Sequence, residues 1–373
     1  MKKTVKIAII SAAAVAAVAG ALFVVIPLAT SKQAEARLGE ALAEAGIPED
    51  MWSVGRAYYV PLLGRLTVER LEFGERGVGA FLEAKKAVLS LDASKKDFFA
   101  GSVEIRDASF STNDVGVTVK SLSVNDFSVD KALFAYSPFE AVQKLGAIRV
   151  SGAAFTQEGR TRFSLGSLNA AVGYAEGKIP FSSSVTLKDL AIDVRQFAQF
   201  PALRPEYRLS NLELKNSLSN GVYTVNLVID EENLFTIKVN LGVSLPHSLI
   251  ASGRITDLAG IDYGEEVKMD SLTLTYTDKS LLDHIFELAG MSGGRAEVAG
   301  ELNETLMAFA ERGGVDAERF ANEAAKFIAK PGKFELKTNL DFPMSLEDIS
   351  QNPFSMNVSL SINEGRPFTT GEY

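Results

Sequence analysis

The stretch "GRLTVERLEF", residues 64–73, limits what this chain can fold into more than any other feature. Leu66, Val68, Leu71 and Phe73 follow the order apolar, polar, apolar, two polar, apolar, polar, apolar. Simple alternation puts the first two apolar residues on one face of a strand. Two polar residues in a row would then send the last two to the other face. A bulge or corner at the dipeptide restores the face and bends the strand. The phrase thus describes a bent strand with one apolar side.

It returns as Val103, Ile105, Ala108, Phe110 and as Ile148, Val150, Ala153, Phe155. Further copies are Phe163, Leu165, Leu168, Ala170 and Val185, Leu187, Leu190, Ile192. Two more are Tyr207, Leu209, Leu212, Leu214 and Val267, Met269, Leu272, Leu274. Shorter matches occur at Val119, Leu122, Val124 and at Ile255, Leu258. The dipeptides, among them Glu69-Arg70, Arg106-Asp107, Ser151-Gly152 and Lys188-Asp189, are turn-tolerant or charged. Irregular spacing of the copies argues against a solenoid. The expectation is a long, bent, mostly antiparallel sheet over 51–278 with one apolar side. Periodicity does not say what covers that side, so a groove and a sandwich both remain open.

Residues 7–29, "IAIISAAAVAAVAGALFVVIPLA", carry no charge and follow Lys2, Lys3 and Lys6. A helix of that length spans a bilayer core of about 30 Å. The lysines place residues 1–6 in the cytoplasm and send the rest across the membrane. A cleaved signal peptide is the competing reading, with small residues near Ala29 and at 34–36. Residues 30–50 read as a stalk helix or as a helix packed on the first sheet.

Residues 279–330 change to a helical period, as three amphipathic segments. Leu281, Ile285 and Leu288 form one stripe, and Val298, Leu302, Leu306 and Phe309 a second. The third starts at a cap, Asp316, and carries Phe320, Ala324, Phe327 and Ile328. Two strands follow within 331–365, and 366–373 reads as a loose tail. The fold class is therefore mainly β: an N-terminal transmembrane helix, a bent sheet, and a small C-terminal helical insertion.

The net charge of −9 becomes about −13 once the first 32 residues, with four lysines and no acids, are set aside. So acidic a body repels a phosphate backbone, and nucleic acid is not expected as a partner. There is no cysteine, hence no disulfide, thiolate ligand or cysteine nucleophile. "GMSGG", residues 290–294, has the G-x-S-x-G form, yet a helix precedes Ser292 and both histidines, His247 and His284, come earlier in the chain. We read its glycines as a helix stop. Asp283-His284 lacks a second ligand one turn on, and "SVNDFSVDK" lacks the glycine and closing glutamate of a calcium loop. No cofactor, metal site or catalytic residue is expected.

Residues 1–112 also carry a family resemblance. An apolar N-terminal segment, then "YYVPLLGRLTVERLEF", "AKKAVLSLD" and "FFAGSVEIRDASF", resembles the start of AsmA-like proteins of the bacterial envelope. YdgA-like periplasmic proteins share the single-anchor layout. The AsmA-like resemblance implies a grooved sheet held at the inner membrane and facing the periplasm. It implies a role in phospholipid movement or outer-envelope assembly, with phospholipid or an envelope protein as partner. Val124, Leu165, Leu187 and Leu214 are then the expected lipid-facing residues. The alternative is a non-enzymatic structural or interaction protein with a closed sandwich.

Overall fold

A computed structural model describes residues 39, 49–60, 64–75, 78–91, 98–112, 114–130, 142–173, 182–195, 206–252, 262–288, 299–300, 304, 307, 314–338, 340–351, 357–363, 365 and 367–369. The expected anchor at 7–29, nearly all of the expected stalk, the short copy at Ile255 and Leu258, and Ser292 lie outside these residues. Among the described residues no helix is long and apolar enough to cross a membrane. The chain forms two compact units, Met1–Val172 and Gly173–Tyr373, so the division falls inside the expected single β stretch 51–278.

In the first unit, seven strands lie side by side in chain order, each antiparallel to the next. They are β1 (Trp52–Val60), β2 (Arg65–Glu75), β3 (Val78–Leu91), β4 (Phe98–Ser111), β5 (Val115–Asp130), β6 (Val142–Gln157) and β7 (Arg160–Gly173). The recurring phrase explains their register. It reads the same in both directions, so antiparallel neighbours can match it position for position. Leu66 faces Leu89, which faces Val103, then Val124, Ile148 and Ala170. A parallel row runs Phe73, Leu82, Phe110, Val117, Phe155, Phe163. Two rows lie between, through Val68 and through Leu71. Three copies escaped the sequence reading in whole or part: Trp52, Val54, Ala57, Tyr59 on β1; Leu82, Ala84, Ala87, Leu89 on β3; and Val117, which completes β5.

The dipeptides meet across the sheet and form a corner. Pairing steps from Glu69–Lys86 to Leu71–Ala84, passing over Arg70 and Lys85. It likewise passes over Asp107 and Lys120 between β4 and β5, and over Gly152 and Gly166 between β6 and β7. Both strands slip by one residue at the same place, which keeps one face apolar. Arg70, Asp107 and Gly152 sit in the left-handed region, at φ 55°, 48° and 57°. That region disfavours side chains with a Cβ, and branched ones most. Glycine at Gly152 also keeps clear of Lys120, whose Cβ would lie 3.0 Å from an added Cβ.

The second unit is also antiparallel. Its strands are β8 (Ser182–Asp193), β9 (Glu206–Ser219), β10 (Val222–Glu231), β11 (Phe235–Ser244), β12 (Lys268–Asp278), β13 (Lys333–Thr338), β14 (Met344–Ser345), β15 (Val358–Ile362) and β16 (Phe368–Thr369). They pair in chain order, except that β13 pairs β15 and β14 pairs the start of β12. Asp189 on β8 repeats the left-handed corner at φ 53°, opposite Ser210. Asp230 and Glu231 then face Asn211 and Leu209, so Ser210 becomes a bulge between β9 and β10. Asp270 is the matching bulge on β12. We expect Asp189→Gly to leave stability unchanged or raise it, and Asp189→Val to cost about 1–3 kcal/mol, because a branched side chain strains at φ 53°. Urea denaturation of the two variants gives the sign.

Among the described residues these strands are accompanied by α1 (His247–Ser252), α2 (Leu281–Leu288), α3 (Gly314–Ala329) and α4 (Leu346–Gln351). Ala299, Gly300, Glu304 and Met307 are helical too, whereas Val298, Leu302, Leu306 and Phe309 of the expected second stripe lie outside the described residues. Neither α1 nor α4 was expected. Both are six-residue helices without the stripe that two turns need to declare themselves. α3 begins at Gly314, so Asp316 lies inside its first turn and is not its cap. Residues 366–373 were expected to be loose, yet Phe368 pairs Leu360 and Thr369 pairs Ser359. Two pairs suffice because the edge of β15 offers its backbone groups.

Candidate functional site: the apolar sheet faces

The two faces of each sheet differ in chemistry. In the first unit the rows through Leu66, Val68, Leu71 and Phe73 make one face almost wholly hydrocarbon. The other face carries Ser102, Glu104, Arg106 and Ser109 on β4, and Thr118, Ser121 and Ser123 on β5. Polar side chains pair across it, as Ser121 with Ser151 at 2.7 Å and Ser109 with Glu83 at 3.0 Å.

Burial along the apolar rows is uneven. On β2 and β3, Leu66, Val68, Leu71, Ala84, Ala87 and Leu89 are buried, Val68 to 1 % exposure. Further along the same rows, on β4 to β6, every apolar residue is only half-buried. On β7, Leu165 alone is buried. A strand residue flanked by row neighbours has covered sides. Half-burial therefore marks an outer end in contact with solvent.

The second unit repeats the arrangement. One row runs Val185, Leu214, Leu227, Val239, Leu274, Leu336, Leu360. The next runs Leu187, Leu212, Ile229, Ile237, Tyr276, Phe334, Ile362. All are half-buried except Leu360, at 1 % exposure. Full burial of such a side chain contributes about 1.5–3 kcal/mol, so each half-buried one leaves a substantial part of that unrealised.

Helix α3 covers part of the second face. Phe327 packs edge-on to Tyr276, ring centroids 5.8 Å apart, and lies 6.0 Å from Phe334. Phe235 stacks on Tyr276 at 6.3 Å. Burial pushes the Tyr276 phenol well above its usual range, helped by the Asp278 carboxylate that accepts its hydroxyl at 2.8 Å. Helix α2 docks elsewhere: its buried His284 places Nε2 3.1 Å from the Tyr207 hydroxyl of β9.

The expected lipid-facing residues fall as follows. Val124 and Leu165 belong to the first unit, two rows apart on its apolar face. Val124 is half-buried, whereas Leu165 is 8 % exposed. Leu187 and Leu214 belong to the second unit, in adjacent rows, both half-buried. Leu227, Ile229, Ile237 and Val239 continue those rows on β10 and β11; their segments read as alternating strands, but these residues were not among the expected lipid-facing ones. Plain alternation was their signal, and it lacks the phrase that marked the other strands.

A polar cluster fastens the bulge behind this face. Asp230 Oδ1 accepts from Thr236 at 2.5 Å and from Lys279 Nζ at 2.8 Å, and its Oδ2 accepts from Ser210 at 2.7 Å. The Lys279 ammonium, then the Thr236 and Ser210 hydroxyls, hold the Asp230 carboxyl at about 2, against an ordinary 3.8. The lowered value means that this interaction is present above pH 3.8 and is lost as pH falls towards 2. The ion pair is about a third exposed, so solvent reduces its worth to about 1 kcal/mol. Asp230→Asn should therefore destabilise by about that amount at pH 7 and by almost nothing near pH 2. Urea denaturation at the two pH values checks it.

Among the described residues no group of acidic or histidine side chains could hold a metal ion. The chain matches no protein-family model, and no curated protein matches it in sequence.

Proposed function

We propose that this chain is a membrane-anchored, non-enzymatic protein of the bacterial envelope that holds lipid acyl chains on its apolar sheet faces. In this reading residues 7–29 anchor it in the inner membrane and the bulk lies in the periplasm, as in the AsmA-like proteins its beginning resembles. The observation that carries the reading is the pair of apolar faces whose rows stay half-buried across β4 to β6 and β8 to β11. Acyl chains supply a matching surface without hydrogen-bond demands. The polar opposite face of β4 and β5 suits water.

The second reading is a structural or interaction protein with its apolar face closed by protein. Phe327 of α3 favours it locally, by covering Tyr276 and Phe334. The two readings part in a photocrosslinking experiment on the full chain in living cells. A photoreactive residue at Leu214 should yield an adduct with the mass of a phospholipid. The same group at Lys238, exposed on the polar face of β11, should yield none. Protein adducts at Leu214, with no lipid adduct, would establish the closed form instead.

A further inference from the structure

At one end of the second unit, two segments meet that the apolar faces do not use. β14 pairs with the start of β12, Ser345 facing Lys268 and Met344 facing Met269. The turn before β12 joins the start of α4, where the Glu347 amide donates to the Gly264 carbonyl at 3.0 Å. Tyr263 and Leu346 flank that bond, and Phe342 precedes β14 by two residues. All three are large, apolar and exposed, at 54 %, 43 % and 73 %. Phe342 and Leu346 thus leave apolar surface in water within two segments that the fold has joined.

The surroundings specify the visitor. Segments 262–268 and 341–348 contain Asp262, Glu265, Glu266, Asp341, Glu347 and Asp348 against a single base, Lys268. Every one of these acids is exposed. An anionic leaflet would be repelled by such a rim. A second copy would bring the same charges against themselves. An apolar anchor inside a charged rim is instead the plan of a protein interface, where aromatic residues supply binding energy and the rim supplies selectivity.

We propose that Tyr263, Phe342 and Leu346 form the docking site for a basic protein partner. The partner presents lysine or arginine side chains to the acidic rim and an apolar side chain to Phe342. This goes beyond lipid holding and does not depend on it.

The test uses the full chain in discs of zwitterionic lipid. The probes are a synthetic peptide of alternating lysine and leucine and an oligolysine of equal charge. The alternating peptide should bind at least about tenfold more tightly than oligolysine, and its binding should weaken at high salt. Phe342→Ser and Leu346→Ser should each lose about tenfold, Phe342→Ser with no change in melting temperature, since its side chain is 73 % exposed. Glu323→Gln, on α3 outside the patch, should change nothing. Equal binding of the two probes, equal binding by parent and Phe342→Ser, or no binding by the parent would each overturn the proposal. So would tighter binding to anionic vesicles than to the peptide, which would make the patch a membrane contact.

Discussion

Replacing Val124 and Leu214 together by aspartate is expected to abolish lipid retention while the fold survives. Each side chain sits mid-row on an apolar face, Val124 between Val103 and Ile148, Leu214 between Val185 and Leu227. A carboxylate there stays ionised only if it keeps water, and water displaces acyl chains from its neighbours. The fold is spared because both positions are half-buried, so the new charge can reach solvent. Leu165 offers no such test. At 8 % exposure its aspartate would be buried and would cost several kcal/mol of stability by itself. Leu187→Asp, also half-buried, serves as a third position. The measurement is lipid phosphorus per chain after purification, beside a melting curve. Retention unchanged with the fold intact would count against a lipid-holding face.

Phe327→Ala is expected to cost about 2–4 kcal/mol and to enlarge the open face. The ring meets Tyr276 and Phe334 and so links α3 to the rows of β12 and β13. Its loss leaves α3 to the rest of its stripe, including the buried Ala321. With the helix loosened, Tyr276 and Phe334 gain exposure, and an apolar dye should bind more strongly. Under the closed reading the helix is part of the core, and Phe327→Ala should unfold the second unit without any folded, dye-binding state. Denaturation followed by both far-ultraviolet circular dichroism and dye fluorescence separates the two.

The sheet was legible because the phrase states its own geometry. The apolar spacing of Leu66 to Phe73 implied a slip at Glu69-Arg70, and the slip is there with Arg70 left-handed. The register followed from a symmetry the sequence also contained, since a pattern that reads alike in both directions aligns with antiparallel copies of itself. β1 was missed because Tyr58 and Val60 turn the end of its copy, Trp52 to Tyr59, into an unbroken apolar run from Ala57 to Val60 that hides the alternation. A Cβ at Gly55 would stand 2.5 Å from Nε of Arg70 on the neighbouring strand, so a side chain there would displace that guanidinium. Turns such as Asn220-Gly221, at φ 51° and 81°, carry a local signature that a chain reading can use.

The site was legible only in part. Periodicity identified the apolar face but not its cover, because cover depends on residues far away in sequence. Phe327 lies about fifty positions from Tyr276, and nothing local joins them. The Tyr263, Phe342 and Leu346 patch was invisible for the same reason: β14 brings its two segments together, and two residues of strand leave no pattern.

Native mass spectrometry of residues 33–373, expressed in the envelope and purified without detergent, tests the central claim most directly. Lipid holding on open sheet faces requires a mass increment equal to one or more phospholipids, lost in the Val124→Asp, Leu214→Asp variant. A parent chain at its bare polypeptide mass, correctly folded, would contradict it and leave the apolar faces to protein.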